Sequence, residues 1–159
     1  MFGRDTSNCK VCAFCAQNSD IPLRAALAAT FIAHGYTKYF VFGLDKFAGM
    51  LGSLGVPLPG VNAWLSFLAE FAGGILLILG LGTRVAAFGH IVVMLVAIFT
   101  VHMHQGFMMH VESGGAQPSV GGWEWQLALL CMALALLMRG AGPLSLDKTL
   151  LKNCCAKKE

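Results

Sequence analysis

Glu70 lies in the apolar stretch FLAEFAGGILLILG, and a glycine pair, Gly73 and Gly74, follows a turn later. A carboxylate is among the costliest side chains to place in hydrocarbon, so it must pair, take up a proton or face a polar cavity. His34 and Lys38 stand four positions apart and share one helix face. These three residue types support two kinds of chemistry. An ion pair between Glu70 and Lys38 fixes the register of two helices. Alternatively, Glu70, His34 and Lys38 form a catalytic set that takes up protons released by a quinol or binds a quinone carbonyl. The glycines most simply permit close helix contact.

A second group is the stretch TVHMHQGFMMH. His102, His104 and His110, with Met103, Met108 and Met109, are side chains of the kind that bind copper, although His102 and His104 point to different faces of a helix. The plain reading is a polar helix end followed by a loop. Axial haem ligation by His34, His90 or His102 is a further use of imidazole here. A third group is the cysteines. Cys9, Cys12 and Cys15 form a C-x2-C-x2-C run, and Cys154 and Cys155 lie near the other end of the chain. Brought together, five thiolates would bind zinc, copper(I) or an iron–sulfur cluster, or would act as a redox pair. The alternative is tail thiols, with or without lipid attached. Cys131 lies inside an apolar segment and is expected to pack in the core.

The elements that must position these groups follow from composition. Of 159 residues, 57% are hydrophobic and 12% charged, against about a quarter charged in soluble domains. The apolar residues fall in blocks of roughly twenty, the length that crosses about 30 Å of hydrocarbon. The chain is therefore expected to be an all-α membrane protein, an up-down bundle of four transmembrane helices near 21–44, 61–81, 85–105 and 123–138. A short amphipathic interfacial helix is expected at 45–54, after the first span. Asp20 is a natural N-cap for the first span, with Pro22 in its first turn. Residues 1–20 read as a Cys-rich tail, 21–140 as the transmembrane domain and 141–159 as a tail with the Cys pair. The first twenty residues hold no apolar core long enough for a signal peptide, so the first span is expected to stay as an anchor. No basic patch with interleaved aromatics points to nucleic acid.

Orientation follows from Lys and Arg. Arg4, Lys10, Arg24, Arg84, Arg139, Lys148, Lys152, Lys157 and Lys158 fall in the tails or near one set of helix ends, and the segment 106–122 has none. Lys46 is the exception. Both termini should face the cytoplasm, with Trp64, Trp123 and Trp125 in an outer aromatic belt. At about 1.5 Å per residue, Lys38 lies roughly 9 Å, His34 roughly 15 Å and Glu70 roughly 13 Å below the outer ends of their spans. His102 and Glu124 lie close to the outer surface, so polar groups from all four helices gather in the outer half.

The ordered segments FIAHGYTKYF, LGVPLPG, LAEFAGGILLILGLGTR, HMHQGF, GGWEWQLALL and GPLSLD resemble the DoxX family of small four-helix prokaryotic membrane proteins. The resemblance covers residues 23–147 and leaves out the cysteine tails. It implies roles for His34, Gly35, Lys38, Glu70, Arg84, His102, Gly122, Glu124 and Asp147. Where the family usually has two aromatics after the loop glycine, this chain has Phe107 and Met108. The resemblance further implies an inner-membrane protein linked to quinone oxidoreductases, acting as a subunit or partner in a membrane redox complex. On that reading His102, Trp123 and Glu124 help to bind the quinone, and Arg84 and Asp147 close the cytoplasmic end. Two other functions suit the same residues: copper or zinc handling by the Cys tails and the His/Met loop, and a non-catalytic accessory subunit of a larger complex. An impermeant thiol reagent applied to intact cells is expected to leave Cys9 and Cys155 unlabelled, and rapid labelling would reverse the orientation.

Overall fold

The periodicity of the first long apolar segment already defines an inward stripe. Asp20, Arg24, Leu27, Ala28, Phe31 and Gly35 recur at three- and four-residue steps and are all buried. In the computed structural model, which describes residues 10–108 and 121–150, every described element is helical. Helix α1 (Lys10–Asn18) precedes α2, which runs Asp20–Tyr36 and continues as a π-helical turn, Thr37–Phe42. The short helix α3 (Leu44–Ser53) follows Gly43, whose φ of 86° ends the preceding turn. Helix α4 spans Pro59–Leu79 and contains a π-turn at Leu68–Ala72. Helix α5 spans Thr83–Gln105, with a π-turn at Ile98–His102 and a final 3₁₀ turn. Helix α6 is Glu124–Arg139.

Of the four expected spans, α4 and α5 are by themselves long and apolar enough to cross a membrane. The other two expectations shift in detail. Asp20 does not cap α2 from outside. It is the first residue of the helix and is fully buried against Arg24. Residues 10–18 of the expected tail form α1, which buries none of its residues. The interfacial helix lies at Leu44–Ser53 and packs Phe47 and Leu51 on Ala63 of α4.

One core joins the four long helices: Leu27 and Phe31 from α2, Leu77 from α4, Ala87 and Ile91 from α5, Ala133 and Leu136 from α6. Two glycines set the α2–α4 approach. A Cβ on Gly35 would stand 2.8 Å from the Phe71 Cβ, and one on Gly74 would stand 2.7 Å from Ile32 Cγ1. Small residues let backbones approach and gain dispersion contact. These pairs, 35 with 71 and 32 with 74, show that α2 and α4 run antiparallel.

The α4 end is closed by Arg24, one of the residues read from sequence only as an orientation marker. It is 6% exposed and uses its whole guanidinium fork. Nε donates to Leu77 O at 2.8 Å and Nη2 to Ile78 O at 2.9 Å, carbonyls of the last α4 turn, where Leu77 O also accepts the Gly80 N–H at 3.2 Å. Nη1 donates to Ala141 O and Leu144 O, both at 2.9 Å, and to Asp20 Oδ2 at 3.3 Å. Asp147 closes the neighbouring turn. Its carboxylate accepts the Gly82 N–H at 2.7 Å and the Thr83 N–H at 3.1 Å, which caps α5. Arg84 is exposed and donates to Met138 O at 3.3 Å.

Arg24→Ala strands buried Asp20 and removes a donor from four carbonyl groups, so it should cost about 3–5 kcal/mol, as removal of one partner of a buried pair does. Arg24→Lys should recover little, because an ammonium cannot reproduce the planar fork. Thermal unfolding in detergent, followed by helical circular dichroism, measures both. A near-wild-type melt for Arg24→Ala would rule out this role.

Candidate functional site

Three of the long helices switch from α to π geometry at the same end of the bundle. A π-turn adds one residue to the helical turn, which re-aims the side chains around it, and such turns are frequent at functional sites. Lys38 lies in Thr37–Phe42, Glu70 in Leu68–Ala72 and His102 in Ile98–His102. All three side chains line one cavity of about 490 Å³. Its other walls are mainly apolar, among them Phe31, Val93, Met94 and Leu129, and α3 covers it with Phe47, Met50 and Leu51.

Lys38 Nζ donates to Glu70 Oε1 at 2.5 Å and to Ser66 Oγ at 2.9 Å, and it lies 4.6 Å from the centre of the Phe47 ring. Glu70 is 2% exposed. Its second oxygen, Oε2, is buried and has no hydrogen-bond partner. One carboxylate oxygen is thus committed to the ion pair and the other is left over. His34 lines the cavity one turn before Lys38 and is exposed. At the far end, His102 Nδ1 lies 2.9 Å from Gly121 O. A carbonyl only accepts, so Nδ1 carries the proton, and in the neutral ring Nε2 is an acceptor.

Helix α6 contributes differently from the sequence expectation. Trp123 packs edge-on against Phe107, ring centres 4.8 Å apart, and the Glu124 amide donates to Phe107 O. The α6 residues that line the cavity are Trp125, Gln126 and Leu129. A glutamine inside an otherwise apolar run was the available signal for Gln126. Gly122 lies against the Gly106 and Phe107 carbonyls, where any Cβ would collide with backbone. His90 also escaped the sequence reading, apart from its mention as a haem ligand. It is fully buried, stacked on Phe31 with ring centres 3.8 Å apart, and neither ring nitrogen has a partner.

Three of the cysteines lie within the described residues. Cys12 and Cys15 are exposed on α1, whose Ala16 carbonyl accepts from Arg139 at the end of α6. Cys9, Cys154, Cys155, Met109 and His110 lie outside the described residues. Cys131 is exposed on α6, and not in the core as expected, because the core stripe of that helix is Leu129, Ala133 and Leu136. Among the described residues, no three His, Cys, Asp or Glu side chains gather into a metal-binding group.

An all-helical chain with two membrane-length helices and a buried ion pair on the wall of an apolar cavity belongs to the class of small helical membrane proteins. The chain is a member of the DoxX family, whose profile matches residues 20–103, from the start of α2 to the end of the third π-turn. It is 34% identical over 134 residues to an uncharacterised protein of Haemophilus influenzae, across 82% of this chain and 90% of that one. It is 30% identical over 119 residues to the Bacillus subtilis protein named "Putative oxidoreductase CatD", across 72% of this chain and 80% of the relative. No solved structure matches it.

The pair can be separated energetically from the cavity. Lys38→Met leaves Glu70 buried without its cation and should cost about 3–5 kcal/mol, whereas the double change Lys38→Met, Glu70→Leu should recover most of that loss. A double-mutant cycle on thermal unfolding reads the difference. Losses that simply add would show that the two residues act independently.

Proposed function

We propose that this DoxX-family membrane protein works with the quinone pool as a subunit or partner of an oxidoreductase, through the cavity that holds Lys38 and Glu70. The observation that carries this reading is the convergence of three π-turns, which aim a cation, a carboxylate and an imidazole into one apolar space. The cavity volume falls within the range of small-molecule sites, about 300–1,000 Å³. It suits a substituted ring and part of an apolar tail. Oxidation of a quinol releases two protons and two electrons. Glu70, with His34 beside it, takes up protons, Lys38 steadies the charge on Glu70, and His102 binds the ring from the other end. The electrons pass to the partner's own electron carrier. The name of the Bacillus subtilis relative supports an oxidoreductase setting.

The membrane arrangement is part of this proposal. All four long helices cross the prokaryotic inner membrane in an up-down bundle spanning residues 21–140, with both tails cytoplasmic. Support comes from outward faces that are apolar on every one of them: Phe40 and Val41 on α2, Ile75 and Ile78 on α4, Phe88 and Phe99 on α5, Leu134 and Met138 on α6. Apolar exteriors of this extent are rare on soluble monomers. The cavity then lies in the outer half, and Arg24, Arg84 and Asp147 at the cytoplasmic end.

A second reading, soft-metal handling by Cys9, Cys12, Cys15, Cys154 and Cys155, is favoured by one contact. Arg139 holds the end of α1 against the end of α6, the side from which the C-terminal segment departs.

Glu70→Gln keeps the shape of the side chain and removes its charge. It should fold with a smaller loss of stability than Lys38→Met, yet lower quinone-linked electron transfer by about a hundredfold or more, the size of a general acid–base contribution. Measuring turnover in membranes that contain the partner complex checks this. Full activity in a folded Glu70→Gln protein would reduce Glu70 to a structural tie.

A further inference from the structure

The deeply buried side-chain atoms that the cavity leaves without a partner are of one kind. Among the described cavity-lining residues, two buried side-chain atoms have no partner, Glu70 Oε2 and Gln126 Oε1. Both are acceptors. His102 adds a third. Its Nδ1 proton is committed to Gly121 O, so the nitrogen left to meet a ligand is Nε2 with its lone pair. Two of the donors nearest these acceptors are engaged. Lys38 serves Glu70, Ser66 and the Phe47 ring face, and the Thr100 hydroxyl bonds Val96 O within its own helix. Ser66 accepts from Lys38 and keeps one hydroxyl proton.

A buried acceptor without a donor is unfavourable, and a ligand that supplies the donor removes that cost. A quinone carries two carbonyl acceptors, which would face Glu70 Oε2 and His102 Nε2 as like against like. A hydroquinone carries two hydroxyl donors at separate points of one ring and satisfies an acceptor at each end. The bond to Glu70 is charge-assisted and is therefore the stronger. We infer that the cavity recognises the reduced, dihydroxy form of its ring ligand, with one hydroxyl donated to Glu70 Oε2 and another to the end formed by His102 Nε2 and Gln126 Oε1. This inference rests on the quinone-pool reading and deepens it, since it names the redox form that is held.

The test uses the purified full-length protein in lipid nanodiscs, without oxygen, and calorimetric titration with three probes of one ring shape: a short-chain hydroquinone, the matching quinone and the hydroquinone's dimethyl ether, which has no donor. The hydroquinone is expected to bind about tenfold or more tightly than the other two, the value of one good hydrogen bond. Glu70→Gln places an amide N–H₂ donor in the pocket and should bring the quinone to parity or better. The wild-type ranking stands by itself if that variant fails to fold, and His102→Phe, which removes the second acceptor, should narrow the gap. A quinone or dimethyl ether that binds as tightly as the hydroquinone overturns the inference and leaves the quinone site in place. Failure of all three probes to bind overturns the site itself.

Discussion

Arg24 joins parts of the chain that are distant in sequence and would otherwise end with unpaired polar groups. One guanidinium satisfies the terminal carbonyls of α4, the turn after α6 and the carboxylate at the start of α2. In a low-dielectric setting each of those groups would be costly without a donor. Bringing them to a single planar fork fixes the relative heights of α2, α4 and α6. The Lys38–Glu70 pair depends on that alignment. Lys38 stands about four turns from Arg24 along α2 and Glu70 about two turns from Leu77 along α4, and a sliding of either helix by one turn would part them.

The legible and illegible parts of the site divide along physical lines. Depth was legible because helical rise is nearly constant. A π-turn changes the count by about one residue, so Lys38 and Glu70 were expected at similar heights and are in contact. The glycines were legible for a similar reason, since a missing Cβ has one common use in apolar helices, and Gly35 and Gly74 sit at the closest α2–α4 approach. Facing was not legible. The wall of α6 is set by the turn at Gly122 and the way α6 packs on α5, so the cavity receives Trp125 and Gln126, and Trp123 and Glu124 lie beside Phe107. Burial of a charge was equally hidden. Arg24 looked like one more cation at a helix end, and only the positions of four distant carbonyl oxygens, with Asp20 a turn away, show otherwise.

The family match and the site geometry cover nearly the same stretch. Residues 20–103 hold all three π-turns, Arg24, Lys38, Glu70 and His102, while α6 and the cysteine-bearing ends lie beyond it. The stretch matched by the family profile therefore includes the acid–base end of the cavity. Helix α6 closes the cavity on another side with Trp125 and Gln126.

The backbone ladder in which Gly122, Trp123 and Glu124 bond Met108, Gly106 and Phe107 has a consequence for tolerance to change. Those bonds clasp residues 106–108 to residues 122–124, and the carbonyl of Gly121 meets His102 Nδ1. The length of chain between the clasped ends is thereby uncoupled from the helices that the loop connects. Insertions are absorbed at such a place with little mechanical effect on the bundle, since lengthening an already closed loop adds only a slowly growing entropy term. The loop is thus a natural position for lineage-specific extensions and for a grafted epitope.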